Sequence, residues 1–113
     1  MKRSIAIAVL AFLVLTSAQL IPTNLRITVL DELGNIVEGA VVTLYTSEDD
    51  YKKNENPAVD ALTTDAKGRV TFKDLSGKKY WVNVEKGDKN NYGAGVEVVI
   101  EPGKLNKSNI IIE

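Results

Sequence analysis

Val29-Leu30-Asp31-Glu32-Leu33-Gly34-Asn35-Ile36-Val37-Glu38-Gly39-Ala40-Val41-Val42-Thr43-Leu44 carries backbone reversals between stretches of alternating side chains. Asp31 opens the first reversal and Gly34 suits a positive φ within it, while Glu38-Gly39 reads as a bulge before the strand resumes at Ala40. A second run, Thr64-Asp65-Ala66-Lys67-Gly68-Arg69-Val70-Thr71-Phe72-Lys73-Asp74-Leu75-Ser76-Gly77-Lys78-Lys79-Tyr80-Trp81-Val82, repeats the device. Asp65 and Gly68 turn the chain into Val70 and Phe72, and Leu75 and Gly77 turn it again into Tyr80 and Val82. Working outward gives seven strands, over 25–30, 36–45, 59–64, 69–72, 79–86, 94–100 and 109–112. Alternation places Ile27, Val29, Ala40, Val42, Leu44, Val70, Phe72, Leu75, Tyr80, Val82, Val84, Val96, Val98, Ile110 and Ile112 inside. Short strands with tight turns predict an all-β, seven-stranded antiparallel Greek-key sandwich. The polar segments 46–57 and 87–93 read as loops, the first the longest and most mobile, and no stretch shows helical period.

These two runs resemble the carboxypeptidase regulatory-like (transthyretin-like) domains, an Ig-like sandwich family. The resemblance extends from about Leu25 to Val84 and rests on Asp31, Gly34, Gly39-Ala40, Thr64-Asp65, Gly68, Phe72, Leu75, Gly77 and Tyr80. It implies that Tyr80 packs inward with its hydroxyl near a backbone partner. It implies no activity, since the fold stands beside many functions.

The N-terminus reads as a separate object. Lys2-Arg3 precede an apolar run from Ile5 to Leu15, and Thr16-Ser17-Ala18 supply small side chains for cleavage. The run falls short of the roughly 20 residues that span a bilayer. Residues 1–18 are therefore expected to be a cleaved secretory signal, with a single domain at 19–113 that begins at Gln19. The chain has no cysteine, so neither a lipid anchor at the new N-terminus nor disulfides are expected, and stability must come from sheet packing. Loss of Lys2 and Arg3 leaves a net charge of about −3, with no basic stripe for nucleic acid and no attraction to an anionic membrane surface.

Nucleophilic catalysis by Ser, Thr or Lys usually needs a histidine base, and the chain has no histidine. Two enzyme families share this sandwich. Hydroxyisourate hydrolase requires histidines and a C-terminal Tyr-Arg-Gly-Ser, intradiol dioxygenase holds iron with tyrosines and histidines, and neither motif is present. Imidazole and thiolate ligands for zinc or copper are missing. Calcium needs only oxygens; Glu48, Asp49 and Asp50 supply three carboxylates, without the D-x-D-x-D-G spacing of a calcium loop. No cofactor is expected. The related B-type repeats of collagen adhesins cross-link a Lys to an Asn beside an acid; here Arg26 stands where that lysine is sought, with Glu85 and Asn109 near the other two places.

One irregularity remains. If Tyr80, Val82 and Val84 face inward, Trp81 faces outward, and Tyr45, Tyr51 and Tyr92 are the aromatics that could lie beside it. The expected binding surface is therefore Trp81, Tyr51 and Tyr92 with the acids Glu48, Asp49 and Asp50. The simpler alternative is that Trp81 lies flat under its own loop or stacks along a lysine stem. The sequence reads as a non-catalytic exported module, periplasmic or extracellular, serving as a structural or protein-interaction domain of a bacterial envelope. Its partner would be an envelope protein, or a further copy paired through a strand edge. The alternative is a carbohydrate-binding module whose glycan stacks on Trp81 and nearby tyrosines.

Overall fold

The computed structural model describes residues 21–92 and 96–113, so the expected signal at 1–18 lies outside the described residues. Asn24–Asp31 forms β1 because its apolar residues recur at every second position, Leu25, Ile27 and Val29 being fully buried. Val41–Tyr45 forms β2 and Leu62–Thr63 β3; Arg69–Phe72 forms β4 and Lys79–Lys86 β5. Lys89–Asn90 forms β6, Glu97–Val99 β7 and Leu105–Ile112 β8. The smaller sheet has the order β4-β1-β8; in the larger, β3-β2-β5-β6, the strand β7 also pairs with β5. The inner faces meet in one core that contains Leu25, Ile27, Val42, Leu44, Phe72, Tyr80, Val82 and Ile112.

The all-β sandwich is as the alternation predicts, with differences in strand number, direction and bounds and one added helix. There are eight strands among the described residues rather than seven, because the polar segment 87–93 contains the short hairpin strand β6, whose two residues carry no apolar alternation. The sheets are not wholly antiparallel: β1 and β8, first and last among the described strands, run parallel from Asn24↔Leu105 to Asp31↔Ile112. β8 also begins at Leu105 rather than Asn109, since the first half of this edge strand buries no apolar side chain. Conversely, Ile36 makes only an isolated bridge to Leu30, and β2 starts after a turn at Glu38-Gly39.

The added element is a helix, α1 (Glu48–Lys53), inside the segment read as a mobile loop. Ser47 caps it by accepting the Asp50 N–H at 3.1 Å. Glu48, Asp49 and Asp50 occupy the first turn and Lys52 and Lys53 the last, in keeping with the helix dipole. Glu48–Lys52 (3.0 Å) and Asp49–Lys53 (3.8 Å) are i,i+4 pairs. The helix is encoded by capping and charge order, with no apolar stripe.

Of the expected core, only Val96 is less than buried, and Leu25 and Ile100 join it. The Tyr80 hydroxyl accepts the Gly77 N–H at 2.9 Å, in line with the resemblance. A Cβ on Gly77 would sit 2.8 Å from that oxygen, so this glycine is needed for close approach. Tyr80→Phe is expected to cost about 1 kcal/mol for the lost bond. Gly77→Ala, which displaces the ring itself, should lower a urea midpoint further.

Two aspartates shape the main turns in the same way. Asp31 Oδ1 accepts the N–H groups of Leu33 and Asn35, each at 2.9 Å. Asp65 Oδ1 accepts those of Lys67 (2.9 Å) and Arg69 (3.1 Å). After the second turn Gly68 adopts φ +72, where a Cβ would come within 3.1 Å of both Ile36 Cβ and Val29 O. Both carboxyls are held below their ordinary pKa, Asp31 chiefly by the Asn35 N–H and Asp65 chiefly by the Arg69 N–H. The charged form is thus favoured on folding. That contribution is complete above the unfolded value of about 3.9 and lost as pH falls through the folded values. An acid titration monitored by Trp81 fluorescence should show stability falling below about pH 4, and Asp31→Asn with Asp65→Asn should flatten that dependence.

Candidate functional site

Alternation along β2 and β5 sends Tyr45, Trp81, Asn83 and Glu85 to the outer face of the larger sheet, opposite the core residues Leu44, Val82 and Val84. Register places Trp81 beside Tyr45 on one side and Glu97 on the other. α1 packs over this face against β2 and β5. Tyr51, carried by α1, meets Tyr45 edge-on, with ring centroids 6.0 Å apart at 74°. Tyr45 is therefore buried although it points away from the core.

Trp81 is half-buried. Lys79 Nζ lies 4.8 Å from its ring centroid and also pairs with Glu97 at 3.0 Å, so the indole carries a lysine over one face. The ammonium over the ring is near to the lysine-stem half of the simpler alternative that the sequence offered. The more exposed aromatic is Tyr92, at 54%. Its hydroxyl donates to Glu85 Oε1, which also receives Asn83 Nδ2 at 3.3 Å. The bond to Glu85 holds the Tyr92 phenol protonated and pushes its pKa up to about 12. Burial and the nearby Glu85 charge likewise raise Tyr45 and Tyr51. Asn83 is buried, and its Oδ1 has no partner among the described residues. Tyr51, Lys52, Asn54 and Tyr92 line an open groove of about 380 Å³ beside this layer.

The structure thus gathers Trp81, Tyr51 and Tyr92 on one face but not around one platform: Tyr51 and Tyr92 share the groove, and Trp81 stands apart beneath Lys79. Glu48 and Asp49 are paired with lysines, and Asp50 Oδ1 accepts Asn56 Nδ2 at 3.4 Å. Successive helical positions point about 100° apart, so these carboxylates diverge. Among the described residues no group of three or more acidic side chains is placed to hold a metal. Arg26 and Asn109 lie on the outer face of the smaller sheet, and Glu85 on that of the larger, so the three places sought for a cross-link do not meet. Sequence reasoning missed Asn83, Lys79 and the role of Glu85. The usable signal was Lys79-x-Trp81-x-Asn83-x-Glu85, every second residue of one strand.

No helix among the described residues is long and apolar enough to cross a membrane. No curated protein matches the chain. Its structure is similar to that of a streptococcal ancillary pilin, with a TM-score of 0.63, 14% identity, and coverage of 83% of this chain and 33% of that one. It is also similar to BcpA, the major pilin subunit of Bacillus cereus (TM-score 0.58, 17% identity, 80% and 28% coverage). The Bacillus anthracis TIE protein gives a TM-score of 0.50 at 18% identity, with 80% and 16% coverage. At such identities the likeness is one of fold, and this chain spans a third or less of each of those chains. The family model of the SpaA prealbumin-like fold domain matches residues 23–110, from the start of the smaller sheet into its last strand. The chain belongs to this family of transthyretin-like, Ig-like β-sandwiches.

Proposed function

We propose that the chain is a non-catalytic, exported β-sandwich module that serves as a structural and protein-interaction domain in a surface assembly of a bacterial envelope. The observation that carries this reading is the extent of the family match. It runs from β1 into β8, so the sandwich as a whole is the matched unit, and a similar fold occupies a third or less of two pilins. The partners would be other subunits of the assembly. Within the prealbumin-like architecture, the turn residues from Asp31 to Tyr80 support the narrower kinship with carboxypeptidase regulatory-like domains.

A second reading, a carbohydrate-binding face, draws on the groove between Tyr51 and Tyr92, where an exposed ring stands next to amide and ammonium groups. One experiment separates the two: a pull-down from envelope extract run beside a glycan array, with wild type, Trp81→Ala and Tyr92→Ala. Both variants should fold, because the side chains removed lie outside the core. On the assembly reading, capture of an envelope protein weakens by about 1 kcal/mol or more in Trp81→Ala while the array stays blank. Glycan binding lost in Tyr92→Ala would favour the second reading. Equal retention of every partner by all three proteins would remove this face from the account.

A further inference from the structure

We propose that the outer edge of β8 pairs antiparallel with the same edge of a second copy, about a two-fold axis at Ser108, fusing two smaller sheets into one. The proposal rests on the backbone of β8 and not on the surface-assembly reading.

β8 is eight residues long and ends its sheet, with β1 on one side only. Residues of a strand send N–H and C=O together to one side, then to the other. Asn24 N–H donates to Lys104 O at 3.1 Å, so the even-numbered residues of this segment face β1. Glu113, of the opposite parity, exchanges both backbone bonds with Asn90 at 2.9 and 3.1 Å on the far side. The two observations agree: Leu105, Lys107, Asn109 and Ile111 direct their N–H and C=O to the outer edge. No backbone partner meets them there among the described residues. β5 is treated otherwise, its outer edge being covered by β6, β7 and the side chain of Asn91.

The free edge is self-complementary in one register. An axis at Ser108 sets Leu105 opposite Ile111 of the second copy and Lys107 opposite its Asn109, so every free residue meets another free residue. Leu105 and Ile111 are 37% and 45% exposed, and each would gain an apolar neighbour. Shifting the axis to Lys107 would face lysine with lysine. Shifting it to Asn109 would face Leu105 with Glu113, whose backbone is already bonded to Asn90. Lys107 thus disfavours indiscriminate pairing while tolerating this register. An open groove of about 440 Å³ beside Val99, Leu105 and Lys107 leaves the edge accessible.

The test uses the full chain, whose lack of cysteine makes single-cysteine variants unambiguous. Sedimentation over a wide concentration range should show the mass rising toward that of a dimer. Ser108→Cys should form a disulfide-linked dimer under mild oxidation at least ten times faster than Thr71→Cys, a control on β4. Ile111→Lys should weaken the dimer at least tenfold without changing the monomer's circular dichroism, and adding Leu105→Glu should restore it. A monomer at every concentration, equal cross-linking of the two cysteine variants, or a dimer indifferent to Ile111→Lys would overturn the proposal.

Discussion

Phe72→Ala is expected to lower the unfolding free energy by about 3–5 kcal/mol, the usual cost of removing a buried aromatic ring and leaving its cavity. Phe72 is 3% exposed on β4, opposite Leu25 on β1, and its ring lies between the sheets. Against the roughly 5–15 kcal/mol of an ordinary domain the loss is large. A urea titration should show a much lower midpoint with an unchanged slope. A midpoint equal to wild type would mean that the strand faces are reversed.

Asn91→Ala is expected to cost nearly as much, through hydrogen bonds and not through packing. β5 pairs with β7 at Lys79–Trp81 and with β6 at Glu85–Lys86, which leaves a gap between them. Asn91, 1% exposed, fills it: its Oδ1 accepts the Val84 N–H at 3.0 Å and its Nδ2 donates to Val82 O at 2.8 Å. Truncation strands a buried donor and a buried acceptor, each at roughly 1–3 kcal/mol. Asn91→Asp keeps the acceptor for Val84 but sets a carboxylate oxygen against the Val82 carbonyl, so it should not rescue stability. Loss of protection at the Val84 amide in hydrogen exchange would identify the mechanism. A wild-type midpoint in Asn91→Ala would contradict it.

These two residues mark where the sequence is legible and where it is not. Phe72 sits in a strand whose alternation, bounded by Gly68 and Asp74, announces its inward face, and the strands at 69–72 and 79–86 emerge with their observed limits. Asn91 lies among Lys89, Asn90 and Tyr92 in a polar run with no period, and only the fold brings it against β5. The parallel placement of β8 beside β1 is hidden for the same reason, since its first half is polar and sits at an edge. The helix α1 was legible in principle from Ser47, the three acids after it and the two lysines beyond. It was obscured because none of its residues is fully buried, so it shows no apolar stripe.

The geometry of the aromatic face was legible in part. Outward placement of Trp81 follows from alternation, and Tyr45, Tyr51 and Tyr92 do gather on the same face of the sheet. The burial of Tyr45 depends on α1 folding back over β2 and β5. Sequence spacing does not encode that contact.

On the proposed reading the sandwich is a building unit of a surface assembly. That reading is tested most directly by isolating envelope material from the cells that make the protein and locating the chain by mass spectrometry after size separation. A building unit should be enriched in high-mass surface material, in fixed proportion to the other subunits. A chain found wholly as free, low-mass protein inside the cell would contradict it.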